Sequence, residues 1–204
     1  MIPLHFEKLS RFDRIAEPCS VAVPFAQGRV MDPGALGVLD ADETLPTQCR
    51  VTSTWPDGSA KWVLMHFLVD LPGNAAKTVH VALDASLAIP SSPAAIAAAP
   101  EGHPARIETG PLNVALARPG EAPLIGLGAA AAPVITSADG RAYVATVGND
   151  GWEVIEPGPV RVVVQTNGTH RAENGGELLD YTLRLYACAG KPWVQVAYQF
   201  TNRE

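Results

Sequence analysis

No apolar run in this 204-residue chain reaches the roughly 18 residues needed to span a bilayer. There is no basic stripe either: the formal charge is -6, which excludes the phosphate neutralisation that nucleic-acid binding needs. Neither a membrane nor nucleic acid is therefore an expected partner. Cysteine is scarce. Cys19, Cys49 and Cys188 are odd in number, far apart and outside any C-x-x-C or His-flanked arrangement, so neither a disulfide framework nor a zinc site is signalled. Cys49 and Cys188 fall in strand-like runs and read as buried small hydrophobes. The N-terminal residues mix His5, Glu7, Lys8, Arg11, Asp13 and Arg14 among apolar ones, which is no signal peptide. The compartment stays open: the protein is cytoplasmic or its leader has been removed.

What is present is punctuation. Gly and Pro number 18 each, which favours many turns between short strands over long helices. Strand candidates recur at 20–25, 36–39, 48–55, 60–71 and 77–83, broken by Pro, Gly and Asp, an all-β signature. Trp55-Pro-Asp-Gly-Ser59 has hairpin-turn chemistry, with Pro fixing one φ and Asp-Gly tolerating a positive one. The strand after it is apolar on both faces, Lys61, Val63, Met65, Phe67 and Val69 against Trp62, Leu64, His66 and Leu68. Such a strand is covered twice or lines a small closed barrel.

Residues 89–103 are rich in Ala, Pro and Ser and read as an interdomain linker, with room for at most a turn of helix. Beyond it the β pattern resumes, with Asp-Gly turns at Asp139-Gly140 and Asp150-Gly151. The last three strands alternate cleanly: Val160, Val162 and Val164, then Tyr181, Leu183 and Leu185, then Val194, Val196, Tyr198 and Phe200 take one face. One wet face at period two is what the outer sheet of a sandwich shows. The chain stops just after a strand, and the expectation is an N-terminal piece of something longer.

Motifs for chemistry are few. No G-x-S-x-G elbow, P-loop or H-E-x-x-H occurs. Gly126-Leu-Gly128-Ala-Ala-Ala131 formally matches a loose dinucleotide fingerprint, but Pro133 ends any helix there, so it reads as a loop. Asp40, Asp42 and Glu43 could touch calcium but lack the rest of an EF-hand loop, so a solvated turn is the expectation. His5, His66, His80, His103 and His170 are scattered without ligand spacing. Asn167-Gly168-Thr169 is a formal glycosylation acceptor, expected on a turn. No catalytic set, metal site or cofactor emerges.

Two places suit a sugar, whose C–H faces stack on aromatic rings while its hydroxyls need charged or amide partners. The first is the turn carrying Trp55, Asp57, Lys61 and Trp62. The same residues could instead cover the barrel end, with Lys61 pairing Asp57. The second is the wet side of the last strands, where Tyr186 and Trp193 join Arg184, Gln195 and Gln199. Contact with another part of a longer protein would use that surface equally well.

The stretches SVAVPFAQG at 20–28, LPTQ at 45–48 and WPDGSAKW at 55–62 resemble the N-terminal barrel of exo-rhamnogalacturonan-lyase-like proteins, a group that includes the bacterial YetA-like proteins. RLYACAGKPWVQVAYQFTN at 184–202 is similar to sheet sequence of the central domain in that family. The resemblance implies a RIFT-type barrel, then a β-rich central domain, then a C-terminal helical toroid on which the lyase chemistry depends. It carries over no catalytic residue to this chain.

The expectation is an all-β protein: a small RIFT-type β-barrel at 1–88, the linker at 89–103, and a truncated β-sandwich-like domain at 104–204. It would be the non-catalytic front of a polysaccharide-lyase-like protein, scaffolding or flanking the sugar cleft. Its partners would be the helical toroid of the same parent and a polysaccharide. The alternatives are a stand-alone carbohydrate-binding module and a small complete carbohydrate-active enzyme.

Overall fold

The computed structural model describes residues 1–8, 10–83, 85, 88–91, 93–98, 104–127 and 132–202. The chain divides into two compact units, Met1–Ser91 and Ser92–Glu204. Among the described residues the regular structure is β-strand with two single 3-10 turns and no α-helix.

The first unit runs β1 (Ile2–Phe6), β2 (Arg14–Pro24), β3 (Gly37–Asp40), β4 (Glu43–Leu45), β5 (Thr47–Thr54), β6 (Ala60–Leu71) and β7 (Lys77–Ala82). They form two antiparallel sheets, ordered β1-β7-β3-β4 and β2-β6-β5. The long β6 is central because it has an unbroken apolar face. Val63, Met65, Phe67 and Val69 are buried along it and meet Val38, Val79 and Val81 of the other sheet in one core. Each such side chain contributes about 1.5–3 kcal/mol by leaving water. The second face of β6 is graded. His66 and Leu68 are buried there, with the His66 Nδ1 2.7 Å from Ser20 Oγ, while Trp62 at the turn end is 39% exposed.

The second unit begins with β8 (Ala95–Ala98), β9 (Pro104–Glu108) and β10 (Asn113–Ala115), a three-stranded sheet in the order β10-β9-β8. It continues with β11 (Val134–Thr136), β12 (Ala142–Ala145), β13 (Trp152–Pro157), β14 (Arg161–Arg171), β15 (Glu177–Cys188) and β16 (Val194–Thr201). These pair in the order β11-β12-β14-β15-β16, and β13 also pairs β14. The even positions of β14 and odd positions of β15 bury Val162, Val164, Leu183, Leu185 and Ala187, the alternation read from the sequence. Side-chain and backbone bonds tie the small sheet to the large one. Thr109 Oγ1 donates to Lys191 O at 2.7 Å, the Gly190 amide returns to Thr109 O, and Trp152 Nε1 donates to Ala117 O at 2.9 Å.

Two expectations need correcting. The Ala/Pro-rich stretch holds a strand where a bare linker or a turn of helix was expected: β8 pairs β9, with Ile96 opposite Ile107. Prolines at 90, 93 and 100 leave too few residues to nucleate a helix, so the alanines take the open edge of β9 instead. Gly128 to Ala131 of the dinucleotide-like stretch, and His103, lie outside the described residues. The glycosylation-type triplet sits inside β14 rather than on a turn. Gly168 is needed there because a Cβ would lie 2.5 Å from Thr146 O and 2.7 Å from the Tyr181 ring.

Gly168→Ala should therefore cost the second unit about 2 kcal/mol or more through overpacking against backbone and ring. Urea unfolding checks this; a change within experimental error would show that Tyr181 does not lie across the glycine.

Candidate functional site

The turn at 55–59 is closed by its own backbone: the Trp55 amide donates to Ser59 O at 2.8 Å and the Gly58 amide to Trp55 O at 2.9 Å. Gly58 adopts φ 85, which a side chain would resist. Asp57 works inside this turn. One carboxylate oxygen accepts from the Ser59 amide at 3.0 Å and from Ser59 Oγ at 2.6 Å. These bonds from Ser59 hold the Asp57 carboxyl below its usual range although it is exposed.

The turn is also stitched to residues 25–30. Trp55 Nε1 donates to Phe25 O at 3.0 Å, the Gly28 amide to Ser59 Oγ at 2.9 Å, the Phe25 amide to Lys61 O at 3.0 Å and the Ala60 amide to Val30 O at 2.8 Å. The stretches 20–28 and 55–62, far apart in sequence, thus form one clasp.

Lys61 does not extend toward Asp57; its Nζ lies 4.6 Å from the centroid of the Trp55 ring, a cation–π contact. Neighbouring strand residues point to opposite faces, so Trp62 lies on the face of β6 away from Lys61. Of the four residues read as one cluster, Trp55, Asp57 and Lys61 are held within the clasp, and Trp62 stands apart.

The second place is the outer face of the large sheet. In the hairpin β14–β15, Gln165 lies opposite Arg184, Asn167 opposite Thr182, and Thr169 opposite Asp180. Each pair is hydrogen-bonded: Arg184 Nε to Gln165 Oε1 at 2.6 Å, Thr182 Oγ1 to Asn167 Oδ1 at 2.8 Å, and Thr169 Oγ1 to Asp180 Oδ1 at 2.7 Å. On β16, Gln195 lies opposite Tyr186 and Gln199 opposite Thr182. Tyr186 is already faced by the Arg161 guanidinium, 5.6 Å from its centroid. Arg161 in turn makes a bidentate pair with the buried Glu156, both bonds 2.8 Å. Trp193, just before β16, is 46% exposed. Arg184 and Tyr186 therefore belong to one sheet face, together with Gln195 and Gln199 of β16, while Trp193 precedes the strand and has no register partner among the described residues. Gln165 was not singled out from the sequence, and Asn167 only as a glycosylation acceptor; the register of the hairpin about its 172–176 turn is the signal that places them on this face.

A third cluster escaped the sequence reading. His170 is fully buried between Tyr181 and Tyr198, edge-on to both rings. Its Nδ1 lies 2.7 Å from Leu179 O, and a carbonyl only accepts, so Nδ1 carries the proton. In the neutral ring Nε2 is then left to accept from the Tyr198 hydroxyl. Tyr181 donates to Thr146 O at 2.5 Å. Burial pushes the Tyr198 phenol up to about 12 and raises that of Tyr181 as well, the latter helped by Tyr198. Isolated histidines carry no spacing signal, which is why this one looked inert.

The acidic trio resolves as a two-residue hairpin. Asp40 pairs Glu43 across β3 and β4, Ala41 takes φ 52, and Asp40 bonds Lys77 Nζ at 2.5 Å. Among the described residues no group of three or more His, Cys, Asp or Glu side chains is placed to hold a metal. Burial raises the thiols of Cys19 and Cys49 to about 11 and that of Cys188 above its ordinary value, so none is a ready nucleophile.

Residues 7–80 match the family description "PcRGLX-like N-terminal RIFT barrel domain". Residues 133–203 match "PcRGLX-like protein central beta sandwich domain". No curated protein matches the chain. The fold is thus all-β, a RIFT barrel followed by a β-sandwich, and the clasp lies within the first match.

Because folding holds the Asp57 carboxyl low, its contribution to stability is present above about pH 4, the ordinary carboxylate value, and is lost as pH falls through the lower folded value. Asp57→Ala should lower the melting temperature at neutral pH and flatten its fall in acid. Melting curves that keep the native acid dependence would contradict the clasp.

Proposed function

The chain belongs to the PcRGLX-like, rhamnogalacturonan-lyase-like family, and we propose that it is the non-catalytic β region of such a protein, scaffolding or flanking a sugar cleft. β-Elimination at a uronic acid needs a base for the C5 proton, a group that neutralises the carboxylate and an acid for the leaving oxygen. The observation that carries the proposal is that the acid and base groups at the candidate places are spent on structure. Asp57 holds its own turn, Glu156 is clamped by Arg161, and His170 is buried with both nitrogens engaged. A buried imidazole cannot take a proton from a bound sugar unless the sheet opens.

What the two domains offer instead is rigid surface. A helical toroid of the parent protein would supply the chemistry, and a polysaccharide would run between it and these sheets. The bonds that support the reading act on backbone and neighbours, which is what a supporting layer needs.

Incubation with rhamnogalacturonan or polygalacturonate should leave the absorbance of unsaturated uronide at baseline. A rise that scales with protein concentration would make the chain an enzyme in its own right and end the proposal.

A further inference from the structure

We propose that the outer face of β14, β15 and β16 binds a neutral, hydroxyl-rich chain, an oligosaccharide segment lying along the strands. The proposal rests on the polysaccharide-facing reading above and names the surface and the ligand class within it.

The hydrogen-bond polarity of the face is the first argument. Arg184 can only donate, so the oxygen of Gln165 faces it and the Gln165 NH2 group points away from that bond. Asn167 likewise spends its oxygen on Thr182. Both amide NH2 groups are left without a partner among the described residues. They stand two positions apart on β14, about 6.6–7 Å, on side chains already locked by their neighbours. A row of unspent, preorganised donors fits a ligand rich in acceptor oxygens and loses little entropy on binding it.

Shape and charge give the second argument. A hollow of about 340 Å³, lined by Asn167, Thr169, Asp180, Thr182 and Thr201, lies at one end of the face. Trp193, 46% exposed, comes just before the other end of β16 and offers an indole on which the C–H face of a sugar ring could stack. Between them the exposed edge strand β16, VQVAYQFT, has no charged residue. Exposed edges ordinarily carry charge to repel other chains, so an uncharged one, bearing amides and a hydroxyl on its outer side, fits a surface kept for an uncharged polar ligand. Arg184 and Asp180 offset each other, which leaves no excess positive charge to prefer an acidic sugar.

The test follows the side-chain amide resonances of Gln165 and Asn167 in the whole chain while galactotetraose or trigalacturonate is added. Galactotetraose should shift both resonances saturably at millimolar concentration. Asn167→Ala and Gln199→Ala, both at exposed positions, should each weaken its binding by about tenfold, the loss expected of one hydrogen bond to a preorganised group, with melting temperature unchanged. Unmoved resonances, native affinity in both variants, or tighter binding of trigalacturonate would overturn the proposal. The absorbance assay with uronate polymers remains independent of these outcomes, so a failed site and a failed scaffold reading give different results.

Discussion

The first unit depends on the clasp between residues 25–30 and the turn at 55–59. At that point the chain leaves the three-stranded sheet after β2 and heads for β3 in the other sheet. A corner of this kind frees backbone groups that a flat ladder would have paired. The Phe25 and Ala60 amides continue the pairing across the corner, while Trp55 Nε1 and Ser59 Oγ satisfy Phe25 O and the Gly28 amide. Asp57 fixes Ser59 so that its hydroxyl can do this. Without the clasp, β6 would keep its apolar face but lose the geometry that lays β3 and β7 over it.

This gives the chemistry of the turn a different meaning from the one its residue types suggest. Two tryptophans, an acid and a base look like a ligand site when read in a line. Folded, the acid holds a serine, the base covers an indole ring, and the second tryptophan faces the other way. The resemblance to the rhamnogalacturonan-lyase-like family rests largely on these residues, and their common task is architectural. The surface proposed for a ligand lies instead on the second unit, where the polar pairs Gln165–Arg184 and Asn167–Thr182 become a pattern only through cross-strand register.

Much of the fold was legible because strand period is a local property. The alternation in β14 and β15 and the two-sided apolar run of β6 follow from spacing alone, whereas Val196 and Phe200 of β16 are exposed where the same spacing put them on the buried face, because β16 is the edge strand. What spacing does not carry is which strands meet. The pairing of Ile96 with Ile107 hid in an Ala-rich stretch with no strand signature, and the His170–Tyr181–Tyr198 cluster joins residues from three strands. Gly168 was read as part of a turn for the same reason: the Thr146 carbonyl and the Tyr181 ring, both distant in sequence, explain a glycine inside a strand. The candidate site divides likewise. Arg184 and Tyr186 were reachable through alternation, whereas the donor polarity of Gln165 and Asn167 needed the partner strand.

The claim that the motif residues close a barrel corner is tested most directly at one atom, the Gly28 amide nitrogen. In native protein its hydrogen should exchange slowly, protected by Ser59 Oγ, and Ser59→Ala should speed that exchange while leaving amides in β14 and β15 unchanged. A Gly28 amide that already exchanges at the rate of an unprotected one in the native chain would contradict the account.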